Sequence, residues 1–293
     1  MDLLEFQERA AKTDQCPGNE GSAVVIPLMG LAGETGNLLT EYKKFIRDGA
    51  GHELFKDQVS EELGDALWYL ANLATKFGLS LDEIASKNLE KVRNRWIGEA
   101  SETGPLFFDE EFPERERLMR RFEVQFRNEL IHNRSVLRVT MNGEPFGDPL
   151  SDNAYQDDGY RYHDSLHLAH AAILGWSPVV RRLQKRKRKS NAQVDEVEDG
   201  ARANVLEELI VAFVYDYARR HGFLASVDTL DYDLLRTVRR LTSGLEVDVR
   251  SIRDWEKAIL EGYRIWRLLR EHNGGIVTCD LAHRSLQFAT MQV

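Results

Sequence analysis

The chain has 293 residues, 42% hydrophobic and 30% charged, with a net charge of −9 at pH 7. That length accommodates two domains, and the acidic balance argues against general coating of nucleic acid or membrane. The two cysteines, Cys16 and Cys279, lie far apart and form no CxxC pair, which argues against a cysteine-rich zinc site and suits a reducing, cytoplasmic setting. Met1 is followed by Asp2 with no basic region or long apolar run, so no signal peptide is expected. No stretch is expected to reach the roughly 20 apolar residues that cross a membrane.

Residues 2–13 predict a first helix with Leu3, Phe6 and Ala10 inward, and 14–22, with Pro17, Gly18 and Gly21, a loop. Pro27 is placed to open a second helix at its first turn, where a missing N–H costs nothing. That helix carries GLAGETGNLLTEYKKFIR, residues 30–47, and should end in 48–52 with its two glycines. A third helix over 55–77 carries VSEELGDALWYLANLATKF and stops at Gly78. Ser80 and Glu83 form a capping box for a fourth.

Acidic groups stand where buried faces would take leucine. Glu34, Asn37 and Glu41 share a face of the second helix at i, i+3, i+7. On the third, Glu62 and Asp65 are three apart with Glu61 beside them, and Tyr69 and Asn72 continue the stripe. Asp65 is mid-helix, before Ala66, Leu67 and Trp68, and so is no N-cap. A carboxylate in so apolar a segment is costly unless a cation or donor meets it. Several carboxyl groups facing each other across two helices make a hard-cation site with Mg²⁺ as the expected occupant. The alternative is two solvated amphipathic faces. On the fourth helix Asn88, Lys91 and Arg95 follow i, i+3, i+7. They are either polyphosphate contacts or a solvated basic helix end.

Residues 100–113 shift to Gly, Pro and acidic types and read as a linker. Residues 121–147 alternate and hold Asn142-Gly143, a hairpin signal, so a small two- or three-stranded antiparallel unit is predicted. In YRYHDSLHLAHAAILGW, His163, His167 and His170 fall at i, i+4, i+7 with Asp164 alongside. This is either a metal triad or a row of half-buried histidines bonded to acidic neighbours. RRLQKRKRK, residues 181–189, reads as a solvated basic loop, or else as a phosphate or nucleic-acid contact; its lack of aromatics makes nucleic acid an unfavoured partner. VLEELIVAFVYDY, residues 205–217, echoes EELGDALWYLANL, with Glu207 and Glu208 matching Glu61 and Glu62. Two further helices, 231–241 and 254–272, precede GGIVTCDLAHRSLQF, a strand-like tail able to pair with the hairpin.

GETGNLLTEYKK, then SEELGDALWYLANLA, then NLEKVRNRW resemble the MazG-like nucleotide pyrophosphohydrolases. The resemblance implies an all-α bundle whose Glu-x-x-Glu and Glu-x-x-Asp helices hold Mg²⁺, with Mn²⁺ as a substitute. It implies cleavage of a (deoxy)nucleoside triphosphate to monophosphate and pyrophosphate. Glu34, Asn37, Glu62 and Asp65 are then the metal ligands, Glu61 or Glu62 orients or deprotonates water, and Asn88, Lys91 and Arg95 meet phosphate. Asn37 departs from the pattern, which has a second Glu there, and removes one negative charge. Such bundles pair as dimers, which implies a homo-oligomer, or an internal pseudo-dimer with a diverged second bundle in the C-terminal half. The rival is a nucleotide-sensing module with a weakened metal site and its functional contacts in the C-terminal half. The expected fold is mainly α: a MazG-like bundle over 1–104, a linker and small antiparallel β-hairpin insertion over 105–159, and a second helical domain over 160–293.

Overall fold

The computed structural model describes residues 1–96, 106–131 and 134–291, without the side chains of residues 91, 93–96, 131 and 134. It divides into two compact units, Met1–Arg93 and Asn94–Val293.

The first unit is built from α1 (Leu3–Ala11), α2 (Ser22–Asp48), α3 (Phe55–Lys76) and α4 (Leu81–Trp96). Asp2 caps α1 by accepting from the Glu5 N–H at 2.8 Å. Pro27 does not open α2. The helix begins five residues earlier, after Gly21, and Pro27 lies within it at the cost of one backbone bond. Gly78, at φ +65°, ends the α3 region as expected. The Gln7 side chain then ties three segments together. Its amide donates to Thr75 Oγ1 (3.1 Å) and to the Leu79 carbonyl (2.8 Å), and its oxygen accepts from the Leu81 N–H (2.7 Å).

The core of this unit is thin: buried Ala10, Ala71, Ala74 and Leu81, with Leu3, Phe6 and Trp68 packed against them. Many large apolar side chains remain outside it. Met29, Leu39, Ile46 and Leu89 are each more than two-thirds exposed. The expectation that no stretch reaches membrane-spanning character needs correction. Ser22–Gly51 is one helix long and apolar enough to cross a membrane, by length and composition only. The reason is that residues 22–39 hold one charged residue, Glu34, among Ala, Val, Ile, Leu and Met.

The second unit is organised around a five-stranded antiparallel sheet, order β3-β2-β1-β4-β5. Its strands are β1 (Arg121–Ile131), β2 (Arg134–Met141), β3 (Glu144–Pro145), β4 (Gly274–Asp280) and β5 (Ser285–Ala289). The hairpin is therefore no insertion. β1 pairs on one side with β2 and on the other with β4, with Phe122 opposite Cys279 and Val124 opposite Val277. Asn142 (φ +54°) and Gly143 (φ +81°) make the turn into β3. Phe122, Val124 and Phe126 alternate inward, while Glu123 and Gln125 face out.

Among the described residues six α-helices complete the unit: α5 (Asp164–Ala169), α6 (Pro178–Leu183), α7 (Ala192–Val197), α8 (Ala201–Arg220), α9 (Tyr232–Leu241) and α10 (Ile252–Glu271). Helix α10 buries Trp255, Ile259, Tyr263, Trp266 and Leu269 at the centre of the core. Ser251 and Asp254 cap it reciprocally. At Gly262 it approaches α5 so closely that a Cβ would lie 2.7 Å from Leu166 Cδ2. The first unit holds no strand among the described residues.

The basic run 181–189 is not a solvated loop. Arg181 and Arg188 are buried. Arg181 pairs with Asp109 at 2.8 Å, and Arg188 pairs with Asp199 and with Glu246, both at 2.7 Å. Arg186 donates to the carbonyls of Glu114 (2.7 Å) and Arg117 (2.9 Å), and Lys187 pairs with Asp195. These four cations meet internal carboxylates and carbonyls. Asp109, within the stretch read as a linker, is one of the buried anchors.

Candidate functional site

In the first unit α2 and α3 lie side by side and bring several acidic side chains together. Gly30 on α2 admits Tyr69 of α3, whose ring would lie 2.2 Å from any added Cβ. One turn beyond that contact, Asn37 Nδ2 donates to Glu34 Oε2 at 2.9 Å. The Glu62 carboxyl reaches both residues from α3. Partial burial pushes its pKa above the ordinary range. The Glu34 carboxylate in contact with it and Asp65 nearby push the same way, and the Asn37 amide opposes them. Glu34, Asn37, Glu62 and Asp65 thus converge.

Two details differ from expectation. Asp65 is exposed rather than sunk in apolar surroundings, because α3 turns a polar face outward at that level. Asn37 turns its amide nitrogen, not its oxygen, toward the carboxylates. Glu61 is exposed one residue round the helix from Glu62 and shares a face with Asp65 at i, i+4. Glu41 stands apart. It is buried and held by Lys44 (2.5 Å) and His52 (2.9 Å), with its pKa lowered chiefly by Lys44. Of the phosphate candidates, Asn88 is exposed on α4, and the Lys91 and Arg95 side chains lie outside the described residues.

Further along α3, Lys76 holds the 14–22 loop. It pairs with Asp14 at 2.6 Å and donates to the carbonyls of Cys16 (2.8 Å) and Gly18 (3.3 Å). Asp14, Pro17, Gly18 and Asn19 line a depression with Asn72, which is buried and keeps an unpartnered Oδ1.

The second unit has a separate polar cluster. His163, His167 and His170 all sit on the segment from His163 through α5 into a π turn, His170–Leu174. They meet Glu207 and Glu208 of α8. His167 and His170 stand 2.9 and 3.1 Å from Glu207 Oε1, and His167 Nε2 stands 3.3 Å from Glu208 Oε2. Glu207 also accepts from Ser177 Oγ (2.8 and 3.0 Å) and from the Val179 N–H (2.9 Å). Burial alone would raise the Glu207 pKa, but His167 and His170 outweigh it and bring it down to about 2. Burial alone would lower the His167 pKa, but Glu207 and Glu208 outweigh it and hold it up at about 10. The two glutamates were visible in the sequence only as an echo of Glu61 and Glu62. Their spacing from the histidines carries no local signal.

Residues 28–96 match the family described as the MazG nucleotide pyrophosphohydrolase domain, and residues 103–292 match the MazG C-terminal domain. The chain is similar to the Gene 37 protein of Mycobacterium phage L5, with 37% identity over 82 residues, covering 27% of this chain and 70% of that one. No solved structure matches.

Proposed function

This chain belongs to the MazG family of nucleotide pyrophosphohydrolases, and from that premise we propose that its first unit hydrolyses a (deoxy)nucleoside triphosphate to the monophosphate and pyrophosphate with Mg²⁺. The observation that carries this reading is the crowding of Glu34, Glu62 and Asp65. The Glu34 and Asp65 carboxylates both push the Glu62 pKa upward, which marks a site short of positive charge. An all-oxygen donor set fits a hard cation, so Glu34, Glu62 and Asp65 would hold Mg²⁺, with Mn²⁺ able to replace it. Asn37 would join them once its amide turns. The chemistry supplied there when the ion is bound is charge neutralisation on the phosphates and activation of a water nucleophile.

The rest falls to the chain. Glu61, exposed beside the cluster, takes the proton from a water attacking the α-phosphorus as the bond to the pyrophosphate oxygen breaks. Asn88, Lys91 and Arg95 of α4 are assigned to the departing phosphates, where positive charge stabilises the developing anion. The base is assigned to the depression at Asn72. That residue lies seven positions from Asp65, about 10 Å along α3, a span suited to the reach from α-phosphate to base. The orphan Asn72 oxygen is an acceptor for a base N–H.

Pyrophosphate release from a panel of triphosphates with Mg²⁺, comparing wild type with Asp65→Asn and Glu62→Gln, tests the reading. We expect release with monophosphate as co-product, reduced at least about a hundredfold in either variant. Nucleotide binding without release by the wild type would instead support a sensing role. Asn37, with its nitrogen toward the carboxylates, is the feature that favours that second reading.

A further inference from the structure

The histidine cluster of the second unit has the layout of a metal centre, and it is independent of the first unit's reading. His163, His167 and Glu208 each offer a ligand atom within 4.8 Å of the others. Each of the two imidazoles has an oxygen within 3 Å of its Nδ1. His163 Nδ1 stands 2.9 Å from the Tyr160 carbonyl, which fixes the proton there and leaves Nε2 as a lone pair. His167 Nδ1 stands 2.9 Å from Glu207 Oε1, and Glu207 is itself fixed by Ser177 and the Val179 N–H. A carboxylate or carbonyl behind each imidazole is the outer-shell arrangement that orients metal-binding histidines.

The front of the cluster fits as well. His167 Nε2 lies 3.3 Å from Glu208 Oε2, and His163 Nε2 lies 3.5 Å from Asp164 Oδ1. Bond lengths of 2.0–2.1 Å in a tetrahedron give ligand–ligand separations of about 3.3 Å. Buried His167 has no hydrogen bond of proper geometry at either nitrogen. The half-exposed Glu208 gives the cluster an opening to solvent. Just past His167 the helix widens into the π turn, a feature common at functional sites, and this sets His170 against Glu207 and Trp255.

Asp164, Glu207 and Glu208 bring three carboxyl groups to the same largely enclosed space as the imidazoles. We propose that this cluster binds one divalent transition-metal ion of the Zn²⁺ class, with His163 Nε2, His167 Nε2 and Glu208 as ligands, Asp164 beside them, and Glu207 orienting His167. Imidazole ligands separate this site chemically from the all-oxygen cluster of the first unit.

The test uses the full chain, stripped with chelator and titrated with Zn²⁺, and separately with Co²⁺ as a spectroscopic probe. The expected result is one tightly held equivalent of Zn²⁺ and a visible Co²⁺ spectrum of tetrahedral form. Glu208→Gln, at a half-exposed position that should fold normally, and the pair His163→Asn with Glu208→Gln should each weaken Zn²⁺ binding at least about tenfold. Asp65→Asn should leave it unchanged. Equal Zn²⁺ uptake by wild type and Glu208→Gln would overturn the proposal and leave His167 as an imidazolium clamped between two glutamates. Loss of Zn²⁺ in Asp65→Asn would overturn it equally, by placing the ion in the first unit.

Discussion

Asn37 presents an amide nitrogen to Glu34, so a cation held with Glu62 and Asp65 meets one carboxylate fewer than the MazG pattern supplies. Affinity for hard cations rises with the charge of the ligand set. Asn37→Glu should therefore tighten the apparent Mg²⁺ dependence of turnover by about tenfold, read from pyrophosphate release against Mg²⁺ concentration. An unchanged Mg²⁺ profile would place Asn37 outside the ligand set. At this scale the sequence exposed much: Glu34, Asn37, Glu62 and Asp65 share faces by helical spacing alone. It did not reveal that Asp65 is exposed, because apolar neighbours on a helix do not say which of them face outward. Nor did it separate Glu41, whose partner His52 lies beyond the helix end.

Single elements in the second unit hold tightly constrained contacts. At Gly262, α10 touches Leu166 and Ala169 of α5, and an added Cβ would fall 2.7 and 3.2 Å from their side chains. Overpacking of about 1–3 kcal/mol should exceed the helix-propensity gain of up to about 1 kcal/mol. Gly262→Ala should therefore lower the thermal midpoint, and because α5 carries His167 it should also weaken Zn²⁺ binding.

Between α7 and α8, Glu198 has its pKa raised to about 7, first by burial and then by the Glu246 carboxylate. The folded form thus prefers the proton. The resulting stability is fully present below about pH 4.5 and is lost as pH rises through about 7. Glu198→Gln keeps the oxygen that accepts from the Glu246 N–H and removes the charge. Its thermal midpoint should fall less than that of wild type between pH 5 and pH 8; parallel curves would remove Glu198 as the source. The helices were legible from periodicity and caps. The burial of 181–189 was not, because Asp109, Asp199 and Glu246, which neutralise it, come from three other segments. Local composition reports charge, and only the fold reports where its partner is.

Taken whole, the chain joins a self-sufficient unit to one whose own core is small. The exposed apolar side chains of α2 and α4, among them Met29, Leu39, Ile46 and Leu89, exceed what scattered surface residues explain. We propose that a second copy of the chain covers these side chains, including those of the long apolar helix α2. Light scattering after gel filtration should give twice the chain mass for wild type, and Met29→Lys with Ile46→Lys should reduce it to the mass of one chain. A monomeric wild type would remove this account. The sequence offered the strand-like tail as a partner for the hairpin, and β4 does pair with β1, but the order of the five strands was not legible, because strand pairing depends on segments far apart in the chain.

That pairing sets an order of events. β1 occupies the middle of the sheet, and its neighbour β4 puts Cys279 opposite Phe122. On the ribosome, Phe122, Val124 and Phe126 emerge long before the strand that shields that edge exists. Until β4 is made, β1 offers a row of unpaired amides beside exposed aromatic rings, a template for joining the wrong chain. Completion of this unit therefore waits until β4 is made, and the stretch most in need of a chaperone is the first strand of the sheet.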